Sequence, residues 1–272
     1  MGNYMKKIAL IMLLGLASSG LFAQRTMEVG LFGGGSYYLG DINPSLHFAM
    51  TKPAYGAVAR LNLNSRWTVR LSGYRGEVAG DDNTAKVVSD RELSFKSNIT
   101  DISGVVEFNF FNYITGSTRN VLTPYIFGGV GVFFFEPTAN GASLRELGTE
   151  GQNIGFDGRS PYETMQIAVP FGFGVKYSLN KRLGMAFEWG LRKTFTDYLD
   201  DISKTYYLDG ESINPGDPAA MASDPTRSHQ AYEARGNASN QDWYAIFGLS
   251  ITYKFNLGRD RGCSDFGTRL KY

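Results

Sequence analysis

The feature that most constrains this chain is a long-range alternation of apolar with small or polar residues. From Gln166 to Tyr177 every second residue is apolar, and glutamine, alanine, proline, glycine and lysine fill the intervening positions. A period of two places alternate side chains on opposite faces of a β-strand. The same pattern recurs from Trp243 to Phe255. The alternation therefore predicts strands with one apolar face.

Eight windows show this alternation, and the connections between them are alternately long and short. Short periplasmic turns and long outer loops between an even number of strands are typical of outer-membrane barrels. We therefore predict an all-β fold, an eight-stranded antiparallel transmembrane β-barrel with long extracellular loops and short periplasmic turns. A soluble β-sandwich is the alternative, but its strands need not be long enough to cross a bilayer. The predicted strands are Met27–Leu39, Pro53–Leu63, Arg66–Arg75, Phe95–Phe111, Pro124–Phe135, Met165–Ser178, Met185–Tyr198 and Asp242–Phe255.

The amino terminus predicts export. Lys6 and Lys7 precede the apolar run Ile8–Leu16, and small residues follow as far as Ala23, the order of a secretory signal. We expect a signal peptide at residues 1–23, an outer-membrane barrel at 24–257 and a periplasmic tail at 258–272. The single cysteine, Cys263, excludes an internal disulfide framework and leaves a free thiol or an intermolecular crosslink.

Composition excludes several other classes. The 27 Lys and Arg residues balance 26 Asp and Glu residues, which argues against general nucleic-acid binding. A mean hydropathy of −0.21 excludes a polytopic helical membrane protein, while 33 glycines among 272 residues oppose a coiled coil.

The barrel interior is expected to be filled. An eight-stranded barrel leaves room only for side chains, and buried charges of mixed sign must pair. An ion-paired plug is therefore favoured over a selectivity filter, and Pro170 in mid-strand predicts a bulge. The predicted inward-facing charges are Arg60, Arg70, Glu107, Lys176, Glu188, Arg192 and Lys254. The predicted aromatic girdles are Trp67, Phe111, Tyr125, Tyr177, Tyr253 and Phe255 at the periplasmic rim, and Tyr37, Tyr55, Phe135 and Trp243 at the outer rim.

Catalysis has little support in the sequence. The two histidines, His47 and His229, fall in outer loops, each near a serine, and no Walker loop or HExxH motif is present. We predict no enzyme activity, no cofactor and no metal. The acidic residues Asp197, Asp200 and Asp201 supply the oxygens that calcium prefers, but the EF-hand pattern is missing, and solvated turn residues are the favoured interpretation.

Six segments resemble the PorG family, an outer-membrane β-barrel component of the Bacteroidetes type IX secretion machinery. The run RKTFTDYLDD (Arg192–Asp201) is the most specific of the shared motifs. The resembling segments are GGGSYYLGDIN (Gly33–Asn43), KPAYGA (Lys52–Ala57), VEFNFFNY (Val106–Tyr113), LTPYIFGGVGVFFF (Leu122–Phe135), GFGVKYSLNKRLGMAFEWGLRKTFTDYLDDIS (Gly172–Ser203) and DWYAIFGLSITYKF (Asp242–Phe255).

The resemblance implies a structural or accessory role in protein secretion and gliding, with a periplasmic ring lipoprotein and its soluble partner as partners besides outer-membrane lipid. The candidate contact surfaces are the outer loops, the periplasmic turns and the basic tail. A basic tail complements an acidic partner, and a disordered chain end is the alternative interpretation of the tail. A generic small OmpA- or OmpW-like barrel with an adhesive or small-solute role is the alternative. The candidate partner-binding residues are Arg259, Arg261, Arg269, Lys271, Lys181 and Arg182.

Overall fold

Eight long strands close into one antiparallel ring in the computed structural model, which describes residues 26–85 and 91–257. Each strand pairs with its neighbours in the chain, and the last pairs with the first from Leu39↔Trp243 to Thr26↔Asn256, so the ring has no free edge. The predicted eight-stranded barrel is thereby confirmed. The strands are β1 Thr26–Leu39, β2 Lys52–Asn62, β3 Trp67–Asp81, β4 Ser94–Asn109, β5 Leu122–Ala139, β6 Met165–Ser178, β7 Leu183–Thr194 and β8 Trp243–Asn256.

The strand ends differ from the sequence prediction at the outer side of the barrel. β3 continues to Asp81 and β5 to Ala139, because both remain paired with β4 beyond the strongly alternating windows. β7 ends at Thr194, four residues earlier than predicted, and the chain then enters the longest loop.

The outward face of the barrel is apolar over a broad belt. Leu31 is 74% exposed and Val130 is 67% exposed, which is unusual for aliphatic side chains in strands. Further exposed apolar residues of this belt are Val69, Leu71, Ile102, Val106, Ile126, Ile167, Phe173, Phe187, Leu249 and Ile251.

Of the ten aromatic residues predicted to form the two girdles, six are exposed, one is half-buried and three are buried. Tyr125 and Phe135 are buried among inward-facing residues, because their strand alternates in the opposite phase from the one assumed. Tyr37 is fully buried because Phe48 from the following loop packs on its ring at 4.9 Å. Those three assignments were wrong. The exposed members are Trp67, Phe111, Tyr177, Tyr253 and Phe255 at the end with the short turns and Tyr55 at the other end, while Trp243 is half-buried.

The bulge expected at Pro170 is absent. Pairing of β6 with β5 is interrupted between Ala168↔Gly131 and Phe171↔Gly128. The register is the same on both sides of the interruption, so neither strand contains an extra residue. On its other side β6 pairs with β7 continuously through Pro170. Pro170 has no amide hydrogen to donate, and it lies where the pairing between β5 and β6 is interrupted.

The four long loops fold together over the outer mouth, and we call them the cap: residues 40–51, 82–85 with 91–93, 140–164 and 195–242. Their buried residues, such as Ile42, Leu199 and Ile202, belong to the same apolar core as Phe133 of the upper barrel. The last cap helix begins at Pro218, where the Asp217 side chain accepts the amides that the first turn leaves free. The cap contains the α-helices Asp82–Ala85, Leu144–Leu147 and Pro218–Ser223, the 3₁₀ turns Gln152–Ile154, Phe156–Gly158 and Gly210–Ser212, and the two-residue strand Ala142–Ser143.

Among the described residues, the helices are all too short or too polar to cross a membrane.

Candidate functional sites

The lower half of the lumen is filled by a network of paired charges. The carboxylate of Glu107 lies 3.3 Å from Arg60 Nε and 3.2 Å from Arg70 Nε. Lys176 Nζ lies 2.6 Å from the other oxygen of Glu107. Arg70 also pairs with Glu188, which accepts a hydrogen bond from Tyr125 at 3.1 Å. One carboxylate thus holds three cations, and a second links two strands across the lumen.

The network is electrically balanced within the described part of the barrel. Two carboxylates that sequence reasoning missed complete the balance: Asp101 pairs with Arg192 at 3.3 Å, and Glu28 accepts hydrogen bonds from Asn62 and Thr252. Both residues occupy alternate positions of their strands that face the lumen, so the alternation in the sequence could have identified them as buried. Four cations, Arg60, Arg70, Lys176 and Arg192, therefore face four carboxylates, Glu28, Asp101, Glu107 and Glu188, all of them buried.

Six of the seven predicted inward charges are buried in this network. The exception is Lys254, which is only half-buried and donates to the main-chain oxygen of Thr115 at the periplasmic end.

The predicted partner-binding residues are only partly described. Lys181 and Arg182 are exposed in the short turn between β6 and β7. Arg182 donates to the hydroxyl of Tyr253 at 2.7 Å, beside an open groove of about 450 Å³ that Lys254 also lines. The remaining candidates, Arg259, Arg261, Arg269 and Lys271, lie outside the described residues, as do Cys263 and the predicted signal peptide.

The acidic residues of the last loop are buried, so their interpretation as solvated turn residues was wrong. Asp197 is 8% exposed, Asp200 is 1% exposed and Asp201 is fully buried. The hydroxyl of Tyr38 in β1 donates to Asp200 at 2.5 Å and to Asp242 at 2.9 Å. These contacts fix the cap to the barrel wall.

Burial shifts the protonation of this cluster. Desolvation is the main reason why the pKa of Asp200 rises to about 8 and that of Asp201 to about 6. For Asp201 the positive charge of Arg235 opposes the rise. The pKa of Asp242 also lies well above its usual range, because burial and the charges of Asp200 and Asp197 disfavour the ionised form.

Among the described residues, neither histidine ring has a serine hydroxyl as a hydrogen-bond partner. His47 Nδ1 lies 2.9 Å from the hydroxyl of Tyr37, and His229 Nδ1 lies 3.1 Å from Asp224. The ring of His229 stacks on Tyr206 with centroids 4.4 Å apart. Within residues 26–85 and 91–257, no group of three or more His, Cys, Asp or Glu side chains is arranged to hold a metal ion.

Comparison with known proteins gives one family and a set of solved barrels. A family model described as "Domain of unknown function (DUF6089)" matches residues 6–208. Ail of Yersinia pestis in complex with the heparin analogue sucrose octasulfate is 8% identical, covering 86% of this chain and 100% of its own, with a TM-score of 0.42. The amino-terminal β-barrel domain of Pseudomonas aeruginosa OprF is 12% identical over 85% and 98% of the two chains, with a TM-score of 0.39. OprG of the same organism is 13% identical over 86% and 97%, also with a TM-score of 0.39. No curated protein matches the chain.

Proposed function

The chain belongs to the DUF6089 family, and from that premise we propose that it is an outer-membrane barrel that serves as a non-enzymatic anchor for a periplasmic protein assembly. The proposed assembly is the periplasmic ring of the type IX secretion machinery. A lipoprotein and a soluble partner protein form this ring. The support for this choice is the resemblance of six segments to the PorG family, with RKTFTDYLDD (Arg192–Asp201) as the most specific.

The observation that carries the anchor role is the contrast between the two faces of the barrel wall. Outward side chains such as Leu31 and Val130 are apolar and exposed, a pattern that fits burial in lipid. Inward side chains are paired charges below and an aromatic and aliphatic core above, capped by folded loops. A barrel filled in this way offers surfaces for attachment rather than a passage for solutes.

The periplasmic surface offers positive charge to a partner. Lys181 and Arg182 project from the turn between β6 and β7, and Lys254 lies in the adjoining groove. Charge complementarity of this kind favours a partner with an acidic surface.

Affinity purification from gently crosslinked native envelopes tests the proposal. We expect the tagged barrel to recover the ring lipoprotein and its soluble partner in a reproducible ratio. The double substitution Lys181→Gln and Arg182→Gln should lower that recovery, while Lys204→Gln, an exposed lysine of the cap, should leave it unchanged. Recovery of the barrel alone would overturn the secretion role.

A second candidate function, adhesion, is favoured by one feature of the cap. Phe156 packs against Tyr232 with ring centroids 5.0 Å apart and against Tyr207 at 6.2 Å. Tyr232 is 65% exposed, so this cluster presents aromatic surface to the outside. Substitution of Tyr232 by serine should then weaken attachment of cells to surfaces or glycans and leave secretion intact.

A further inference from the structure

The periplasmic end of the barrel wall carries three cations around one groove between β7 and β8. The groove has a volume of about 450 Å³, within the range of roughly 300–1,000 Å³ that is usual for small-molecule sites. The residues that line it, and define what we call the periplasmic groove, are Lys181, Arg182, Tyr253, Lys254, Phe255 and Asn256. Among the described residues, none of its three cations forms an ion pair. Such a group of cations favours an anionic occupant.

Two of the three cations are held in position by their neighbours. Arg182 donates to the hydroxyl of Tyr253 at 2.7 Å, and its guanidinium group lies 5.9 Å from the centre of that ring. The amino group of Lys254 donates to the main-chain oxygen of Thr115 and keeps further N–H groups for a ligand. Because these donors are already positioned, less side-chain freedom is lost when a ligand binds them.

The groove adjoins the lipid-facing surface of the barrel. Along β8 the outward face carries exposed side chains at every second position: Leu249, Ile251, Tyr253 and Phe255. The apolar belt thus passes directly into the aromatic girdle, where the rings of Tyr253 and Phe255 lie 5.0 Å apart. Girdle aromatics lie at the level of the lipid headgroups. Since Arg182 bonds to a girdle hydroxyl, its guanidinium group lies at the same depth as the headgroup phosphates.

Two other arginines at the same end of the barrel do not share this arrangement. Arg66 donates to Asn112 at 2.9 Å and to the main-chain oxygen of Phe110, so its donors are engaged within the protein. Arg119 is exposed in the turn between β4 and β5 and does not line the groove. The periplasmic groove therefore combines cations that are available to a ligand with an adjoining apolar surface.

We propose that the periplasmic groove binds the headgroup of an anionic phospholipid from the inner leaflet of the outer membrane. The guanidinium fork of Arg182 pairs with phosphate oxygens, and the two lysines add positive charge. The acyl chains lie along the exposed side chains of Phe187, Leu249 and Ile251 on the outward face of β7 and β8. This inference rests on the membrane location and orientation proposed above, but not on the secretion partner.

Native mass spectrometry of the purified full-length protein in detergent tests the proposal. The probes are dioleoyl phosphatidylglycerol and dioleoyl phosphatidylcholine, which have the same acyl chains, added separately at the same mole fraction. We expect one phosphatidylglycerol to be retained per barrel, and less phosphatidylcholine, because choline cancels the charge of the phosphate. Equal retention of the two lipids by the wild-type protein would overturn the proposal, and this comparison needs no variant.

Substitutions in the exposed turn show whether the groove holds the lipid. Lys181→Gln combined with Arg182→Gln should raise the apparent dissociation constant for phosphatidylglycerol about 25-fold, because each basic residue near anionic lipid contributes a factor of about five. Arg119→Gln removes a positive charge from the same end of the barrel outside the groove and should change nothing. Unchanged retention by the double variant, or displacement of the lipid by an equal concentration of inorganic phosphate, would refute a lipid site.

Comparison with the envelope purification separates this proposal from the secretion role. The heat-dependent shift in electrophoretic mobility first confirms that the double variant is a folded barrel. If that variant loses ring recovery but retains lipid, the groove is a protein contact and the lipid proposal is wrong. If it loses lipid but keeps ring recovery, the lipid site is supported and the groove is not the surface that contacts the ring.

Discussion

Removal of the Glu107 carboxylate is the sharpest test of the lumen network. Glu107→Gln keeps the shape of the side chain but leaves Arg60, Arg70 and Lys176 with one fewer negative charge at distances of 2.6–3.3 Å. Breaking a buried ion pair by removing one partner costs about 3–5 kcal/mol, and three pairs meet at this carboxylate. We therefore expect the free energy of unfolding to fall by at least about 3 kcal/mol.

Urea unfolding in lipid vesicles, read by the shift in electrophoretic mobility between folded and heat-denatured barrel, measures this loss. The matched control is Glu77→Gln, because Glu77 forms a pair with Lys52 at 3.7 Å in which both side chains are about one-third exposed. Exposed pairs contribute about 0.2–1 kcal/mol. Combining Glu107→Gln with Lys176→Met should restore charge balance and recover part of the stability. Equal losses for Glu107→Gln and Glu77→Gln would refute the reasoning.

Three further predictions follow from the belt, the cap and the lumen. Leu31→Arg places a charge on the apolar belt and should cost about 2–4 kcal/mol in vesicles if the belt lies in lipid; wild-type stability of this variant in urea unfolding would argue against that location. Because the pKa of Asp200 is raised to about 8, its contribution to cap stability is complete below about pH 4 and is lost as the pH rises through about 8. The protection of the cap against hydrogen exchange, corrected for the intrinsic pH dependence of exchange, should therefore fall over that window, and Asp200→Asn should flatten the change. Tyr125→Phe removes a 3.1 Å hydrogen bond to Glu188 and should cost about 1.5–3 kcal/mol in the same urea assay; no measurable loss would show that the bond contributes little.

The barrel was predictable because a period of two in the sequence indicates a β-strand and also shows which of its side chains share a face. Arg60, Arg70 and Glu107 were placed inside by alternation alone, and the structure has all three buried in one network. Such a prediction requires knowing which alternate positions of each strand face the lumen. For β5 the wrong set was chosen, and Tyr125 was therefore predicted to face outward.

The cap was not predictable in the same way because its contacts are not periodic. The hydroxyl of Tyr38 reaches Asp200, 162 residues away, and nothing in the local sequence of either residue signals that contact. Burial of Asp197 likewise depends on loops that meet only in the folded protein. Loop composition suggested solvated acids, whereas tertiary packing enclosed them.

Single-channel recording on the purified protein in planar bilayers tests the central claim most directly. A lumen filled by four buried cations and four buried carboxylates, and closed by a folded cap, should give no stable conductance. A steady, ion-selective conductance of the wild-type protein would contradict the filled lumen and, with it, the anchor role.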